Sequence, residues 1–130
     1  MNVRFVGIIT KHNVPRVKQV GGDLASWFKK HAIKSVLDLI DPEMDLLVIL
    51  GGDGTLLHVA DQASYHNIPV VGINLGNLGF LTEVAADEMY TALETILDGK
   101  GQTEQRMMLK ARIVSGTDGK NSRPLFSLNE

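Results

Sequence analysis

The chain has no cysteine, which excludes disulfide staples and thiolate metal sites and fits a reducing, cytoplasmic setting. It has no excess of charge of one sign: 13 basic and 15 acidic side chains leave a net charge of -2, with a pI near 6.1. Bulk electrostatics therefore favour neither nucleic acid nor an anionic membrane as partner. No apolar run approaches the roughly 20 residues of a membrane helix. The opening Met1-Asn2-Val3-Arg4-Phe5 lacks the layout of a signal peptide. Internal repeats and low-complexity tracts are also missing. What is present is a 130-residue chain, 44% hydrophobic and 22% charged, long enough for one soluble α/β domain with a core.

Apolar patterning alternates between strand and helix. Val3 to Ile9 is β-branched and predicts a strand. Val14-Pro15 opens a helix whose buried stripe is Val17, Val20, Leu24 and Phe28. Gly21-Gly22 inside that helix is a weak point, at roughly 1 kcal/mol per glycine against alanine. Ile33 to Leu39 predicts a short strand, Asp41-Pro42 a turn and Asp45 to Leu50 a further strand. Thr55 to His66 follows as a helix with Leu56, Val59, Ala60 and Ala63 inward, and Pro69 to Ile73 as another strand. Residues 74–80 are loop-like. Asp87 is placed to cap a helix with Met89, Leu93, Ile96 and Leu97 inward, ended by Gly99. This succession predicts an α/β fold with a parallel, Rossmann-like sheet and flanking helices.

After Gly99-Lys100-Gly101 the period changes. Leu109, Ala111 and Ile113 alternate with Lys110 and Arg112, predicting a strand with one wet face. Thr117-Asp118-Gly119-Lys120 suggests a turn, and Leu125 to Leu128 a second, antiparallel strand. Residues 1–100 are accordingly expected to form an α/β nucleotide-binding domain, and 101–130 the beginning of an all-β region.

The richest stretch is Leu46 to Thr55. Five consecutive aliphatic residues suit a strand buried on both faces, and they stop at Gly51-Gly52-Asp53-Gly54-Thr55. Ligands of open α/β sheets lie beyond the carboxyl ends of the strands. The plain alternative is a tight turn in which Asp53 or Thr55 caps the next helix. Three glycines around one aspartate exceed what a cap needs and suggest that something lies against bare backbone. No Gly-Lys-Ser/Thr follows, so this is not a Walker loop; Leu57 replaces the third glycine of the dinucleotide fingerprint. Asp53 suits either proton acceptance from a sugar hydroxyl or contact with a magnesium ion on phosphates. On this expectation its carboxylate confronts a nucleotide sugar rather than stapling local backbone. With an ordinary pKa of roughly 4, activity would fall below about pH 5.

Other residues carry weaker signals. His58, one turn into the helix, is within reach of a phosphate, although a surface histidine of no special purpose is the plainer view. Loop asparagines such as Asn74 and Asn77 commonly serve turns. An aromatic such as Phe80 is more often tucked into the core. Asn129-Glu130 alone suggests only a polar chain end.

Together these motifs resemble the NAD kinase family. Gly51-Gly52-Asp53-Gly54 resembles its glycine–aspartate signature, and Asn77-Leu78-Gly79-Phe80-Leu81 its second signature, preceded by Gly72-Ile73-Asn74. Arg106-Met107-Met108-Leu109 resembles the passage into the family's second domain, and Asn129-Glu130 its asparagine–glutamate pair. The first signature is shared with lipid kinases of the diacylglycerol and sphingosine type; the later two point to NAD kinase. The resemblance implies ATP-dependent phosphorylation of the 2′-hydroxyl of the adenosine ribose of NAD, giving NADP. It implies Asp53 as proton acceptor, with Gly51, Gly52, Gly54, Thr55, His58, Phe80, Asn129 and Glu130 in nucleotide binding. It also implies a divalent ion, magnesium, for which no residue is assigned as ligand, and a homo-oligomer at full length. The family's large C-terminal β-domain is not within these residues, so the chain is expected to be an N-terminal portion with little activity alone. The alternatives are a lipid kinase domain and a non-catalytic nucleotide-binding half-module.

Overall fold

The computed structural model describes residues 1–114 and 123–128. The turn expected at residues 117–120 and the pair Asn129-Glu130 lie outside the described residues. The order is β1 (Phe5–Thr10), α1 (Pro15–Lys30), β2 (Lys34–Leu37), β3 (Leu46–Gly51), α2 (Asp53–Tyr65), β4 (Val70–Asn74), β5 (Val84–Ala85), a short 3₁₀ turn, and α3 (Met89–Leu97). Two further strands follow, β6 (Met108–Ala111) and β7 (Leu125–Leu128).

The first five strands form one parallel sheet in the order β2-β1-β3-β4-β5. The chain moves from β1 outward to β2, then back across to β3 on the other side. The strand order therefore reverses between β1 and β3, and their carboxyl ends flank the crevice where this architecture binds ligands.

The sheet alternates its apolar side chains between two faces. Val6, Ile8, Leu46, Val48, Leu50 and Ile73 pack against Leu24 and Phe28 of α1 and Leu93 of α3. Ile9, Leu47 and Ile49 point the other way, onto Leu56, Val59 and Ala63 of α2. All six residues of β3 are buried, as its aliphatic run requires in a sheet covered on both sides. Asp45 fixes where the sheet begins, accepting hydrogen bonds from the Arg4 and Phe5 amides at 2.8 and 2.9 Å. At the other end Asp38 accepts the Thr10 amide and hydroxyl, tying β1 to the end of β2.

Three expectations need correction. Gly21 is a packing position, not merely a weak point: a Cβ there would stand 2.7 Å from Leu37 Cδ2 and 2.9 Å from Thr10 Cγ2. Its missing side chain lets α1 lie close on the sheet. Asp87 does not cap α3; it falls in the preceding 3₁₀ turn, and the cap position is Glu88, without a side-chain cap bond. The third concerns β6, which pairs antiparallel with β7 as expected but lacks the dry face that its alternation suggested. Leu109 is half exposed, and Lys110 and Ala111 are exposed beside it. Leu128 is the residue of this pair that reaches the α2 cluster.

Gly99 ends α3 as expected. It takes φ +73°, and the Gly99 and Lys100 amides donate to the Ile96 and Thr95 carbonyls, satisfying the last turn. The strand β5 was not visible in the sequence.

Candidate functional site

A crevice of about 470 Å³ opens at the carboxyl end of the sheet. Its floor is Gly51, Gly52 and Asp53, where β3 passes into α2. One wall is Lys11 and Val14, between β1 and α1, with Arg16 in the first turn of α1; the other is Asn74, at the end of β4, with Leu75 to Asn77 and Gly79 beyond it. The β1–β3 reversal thus brings a glycine-rich turn, two cations and a loop of small polar residues to one opening.

The glycines work through space rather than unusual dihedrals. Gly52 is extended at φ -132° and forms the N-cap of α2 with no side-chain cap bond. Neither Asp53 nor Thr55 supplies one, so the capping alternative fails. A Cβ on Gly52 or on Gly54 would meet nothing within 4 Å. Gly51 differs, because the Thr55 side chain lies over it and a Cβ would stand 2.5 Å from Thr55 Oγ1. The first N–H groups of any helix lack intrahelical partners, so the start of α2 presents bare amide dipoles of positive sense.

Asp53 both borders this crevice and staples the loop after β4. The Phe80 amide donates to Oδ2 at 2.9 Å; the Leu81 and Thr82 amides donate to Oδ1 at 3.2 and 3.0 Å. The Thr82 hydroxyl donates to Oδ1 at 2.8 Å. The carboxylate therefore does not cap its own helix: it holds backbone and hydroxyl of the loop after β4, 27 to 29 residues on, while bordering the crevice. These donors lower its pKa below the ordinary 3.8, the Thr82 hydroxyl most of all, with the Thr82, Phe80 and Leu81 amides adding and desolvation opposing.

Behind Asp53 is a buried polar pair. Thr82 is fully buried and Asn74 nearly so. Asn74 Nδ2 donates to Thr82 Oγ1 at 2.8 Å, while Asn74 Oδ1 accepts the Gly76 amide at 2.8 Å. Asn74 thus serves a turn, as loop asparagines do, and holds Thr82 as well. Gly72 makes room, since a Cβ there would strike Thr82.

The remaining sequence candidates spread out. Gly54 and Thr55 sit in the first turn of α2 and do not line the crevice. His58 is exposed on α2 and does not line it either. Phe80 is 87% exposed, not tucked into the core; its amide, not its ring, is engaged. Sequence reasoning missed Lys11, Arg16 and Thr82. Thr82 directly follows the Leu78 to Leu81 motif, which was the available signal; Lys11 and Arg16 carried none, because only the strand order brings them to the crevice that Asp53 borders. Among the described residues no three histidine, aspartate or glutamate side chains gather as a metal site.

Residues 6–101 match the family model of the ATP-NAD kinase N-terminal domain. An NAD kinase of Heliobacterium modesticaldum is 40% identical over 141 residues, covering 96% of this chain and 49% of that protein. An NAD kinase of Geobacter metallireducens is 38% identical over 131 residues, covering 89% of this chain and 46% of that one. The chain spans about half the length of these curated relatives. The crystal structure of yeast NADH kinase complexed with NADH superposes with a TM-score of 0.72 at 17% identity, over 98% of this chain and 44% of that one. At that identity the likeness shows the fold.

Proposed function

The chain belongs to the NAD kinase family, and from that premise we propose that it supplies the Asp53 half of an enzyme phosphorylating NAD at the 2′-hydroxyl of its adenosine ribose. ATP is the donor. The O–H bond of the ribose breaks, an O–P bond forms, and the bond between the γ-phosphorus and the bridging oxygen of ADP breaks. The proton passes to Asp53.

One observation carries this reading: an ionised carboxylate, fixed by four donors, stands at a glycine-floored crevice with Lys11 and Arg16 beside it. A carboxylate of lowered pKa is a weak base, but phosphoryl transfer asks little of a base. Its transition state is loose, and most of the catalysis is positioning and charge neutralisation. Asp53 would orient the hydroxyl as an acceptor throughout and take its proton late, once the new O–P bond has made the hydroxyl acidic. The amides of α2, with Lys11 and Arg16, would hold phosphate. We take a magnesium ion to come with the nucleotide as part of the substrate, since such ions are commonly held by substrate phosphates and water.

From the same resemblance we assign Gly51, Gly52, Gly54, Thr55, His58, Phe80, Asn129 and Glu130 to nucleotide binding. We take residues 101–130 as the start of a second domain, and place the full-length protein in the cytoplasm as a homo-oligomer. No helix of the described residues is long and apolar enough to cross a membrane. The lipid-kinase alternative is not favoured, since the relatives described above are NAD kinases.

The test is NADP formation from ATP and NAD by this chain and by the chain carried on to the length of its Heliobacterium relative. Product from the longer protein, lost in Asp53→Asn, is the expected result. A folded longer protein that binds both nucleotides and makes no NADP would leave the half-module alternative standing.

A further inference from the structure

We propose that Asn74 and Thr82 are positioning residues that commit Asp53 Oδ1 to the fold and leave Oδ2 as the oxygen that receives the substrate hydroxyl; the inference rests on the kinase reading above and deepens it.

A carboxylate offers about four acceptor sites, two on each oxygen. Oδ1 takes three donors, the Leu81 amide, the Thr82 amide and the Thr82 hydroxyl, and is saturated. Oδ2 takes the Phe80 amide alone and keeps one site. The Leu81 and Thr82 amides alone match the two sites of Oδ1; the Thr82 hydroxyl adds a third donor to the same oxygen, and the direction of its proton is forced. Asn74 Oδ1 accepts from the Gly76 amide, which fixes the amide group so that Nδ2 faces Thr82. An NH₂ group only donates, so Thr82 Oγ1 must accept from it. The single hydroxyl proton is left for Asp53. Asn74 also ends β4 in register with Gly51 on β3 and Ala85 on β5, so the sheet itself sets the relay. Thr82 does not line the crevice and acts through Asp53; Asn74 stands in the crevice wall and acts on Asp53 by holding Thr82. The charged groups sharing the crevice with Asp53 are Lys11 and Arg16.

Two measurements test this. In the first, the Asp53 side-chain carboxyl carbon is titrated by NMR in this chain as wild type, Thr82→Val, Thr82→Ser and Asn74→Leu. Thr82→Val should move its midpoint up toward the ordinary value, Asn74→Leu should move it the same way by less, and Thr82→Ser should leave it in place. An unmoved midpoint in folded Thr82→Val overturns the relay, and Thr82→Ser covers the case in which Val does not fold. A Thr82→Ser midpoint displaced as far as that of Val, or of an unfolded chain, also overturns it. In the second, NADP formation by the longer protein should lose about 10- to 100-fold in kcat in Thr82→Val, as a misplaced reacting group does. The KM for ATP should change little, and Thr82→Ser should restore turnover. Wild-type turnover in folded Thr82→Val overturns the positioning role. If wild type itself makes no NADP, the kinase reading fails and the role proposed here falls with it. The titration still decides whether the relay exists, so the two failures are told apart.

Discussion

Gly79 lies flat against the carboxyl group of Asp53, so close that a Cβ there would overlap the carboxyl group. The single glycine of the Leu78 to Leu81 motif is therefore a spatial requirement of the aspartate 26 residues earlier, whose carboxyl group it meets across the crevice. In Gly79→Ala either the carboxylate leaves its four donors or the loop lifts away. The expected loss of stability is about 1–3 kcal/mol, the range of small overpacked insertions. The amides of residues 80–82 should exchange faster with solvent, because they lose their acceptor. Denaturant unfolding and hydrogen exchange on one sample check both. A wild-type midpoint with protected amides would mean that the two residues do not meet as described.

The two glycines within α1 should respond oppositely to alanine. Each change gains about 1 kcal/mol of helix propensity. At Gly22 nothing lies within 4 Å of the new methyl, so the gain is kept and the melting temperature rises. At Gly21 the methyl meets Leu37 and Thr10 at under 3 Å. Overpacking of about 1–3 kcal/mol offsets or exceeds the gain there. Thermal melts of the two single variants decide it; equal shifts would show that α1 does not lie against the end of β2.

Much of this was legible in the sequence because hydrophobic period and glycine placement are local signals. The aliphatic run Leu46 to Leu50 foretold a strand covered on both faces, and Val17, Leu24 and Phe28 foretold the buried side of α1. The elbow at Gly51 to Gly54 marked the carboxyl end of the sheet, where the crevice opens. What sequence could not show depends on chain crossing. Lys11 and Arg16 line one crevice with Asp53 only because β1 and β3 are neighbours. The attachment of Asp53 to Thr82 spans 29 residues and has no periodic trace. The two residues of β5 are too few to show a period. The exposed Leu109 was misjudged because alternation reveals which side of a strand is apolar, not whether anything covers it.

Gly52→Ala should separate ligand binding from stability. The backbone there is extended, a conformation any residue adopts, and a methyl would meet open space within the protein. Replacing a glycine cap by alanine costs at most about 1 kcal/mol of folding stability. The methyl nevertheless stands on the crevice floor. Binding of ATP or NAD should weaken by about tenfold, equivalent to ~1.4 kcal/mol, while Gly22→Ala leaves it unchanged. Calorimetric titration of both variants checks this, and unaltered affinity in Gly52→Ala would remove Gly52 from the nucleotide path.

The four donors around Asp53 also set a pH dependence. They favour the ionised form, so the folded-state pKa lies below the ordinary 3.8. Between the two values the unfolded chain binds more protons than the folded one, and stability rises with pH. The contribution of Asp53 is therefore complete above the ordinary value and lost as pH falls through the folded one. Unfolding of wild type and Asp53→Asn across this range should show a gap that is constant near neutrality and closes only in acid below pH 3.8. The acid limb of NADP formation should follow the same displacement, lying lower than the fall below about pH 5 expected of an ordinary carboxylate. In Thr82→Val both curves should move upward together, because the largest of the lowering contacts is gone. A stability gap that closes well above the ordinary carboxylate value would mean that desolvation outweighs the hydrogen bonds at Asp53, and that the loop does not hold the carboxylate as described.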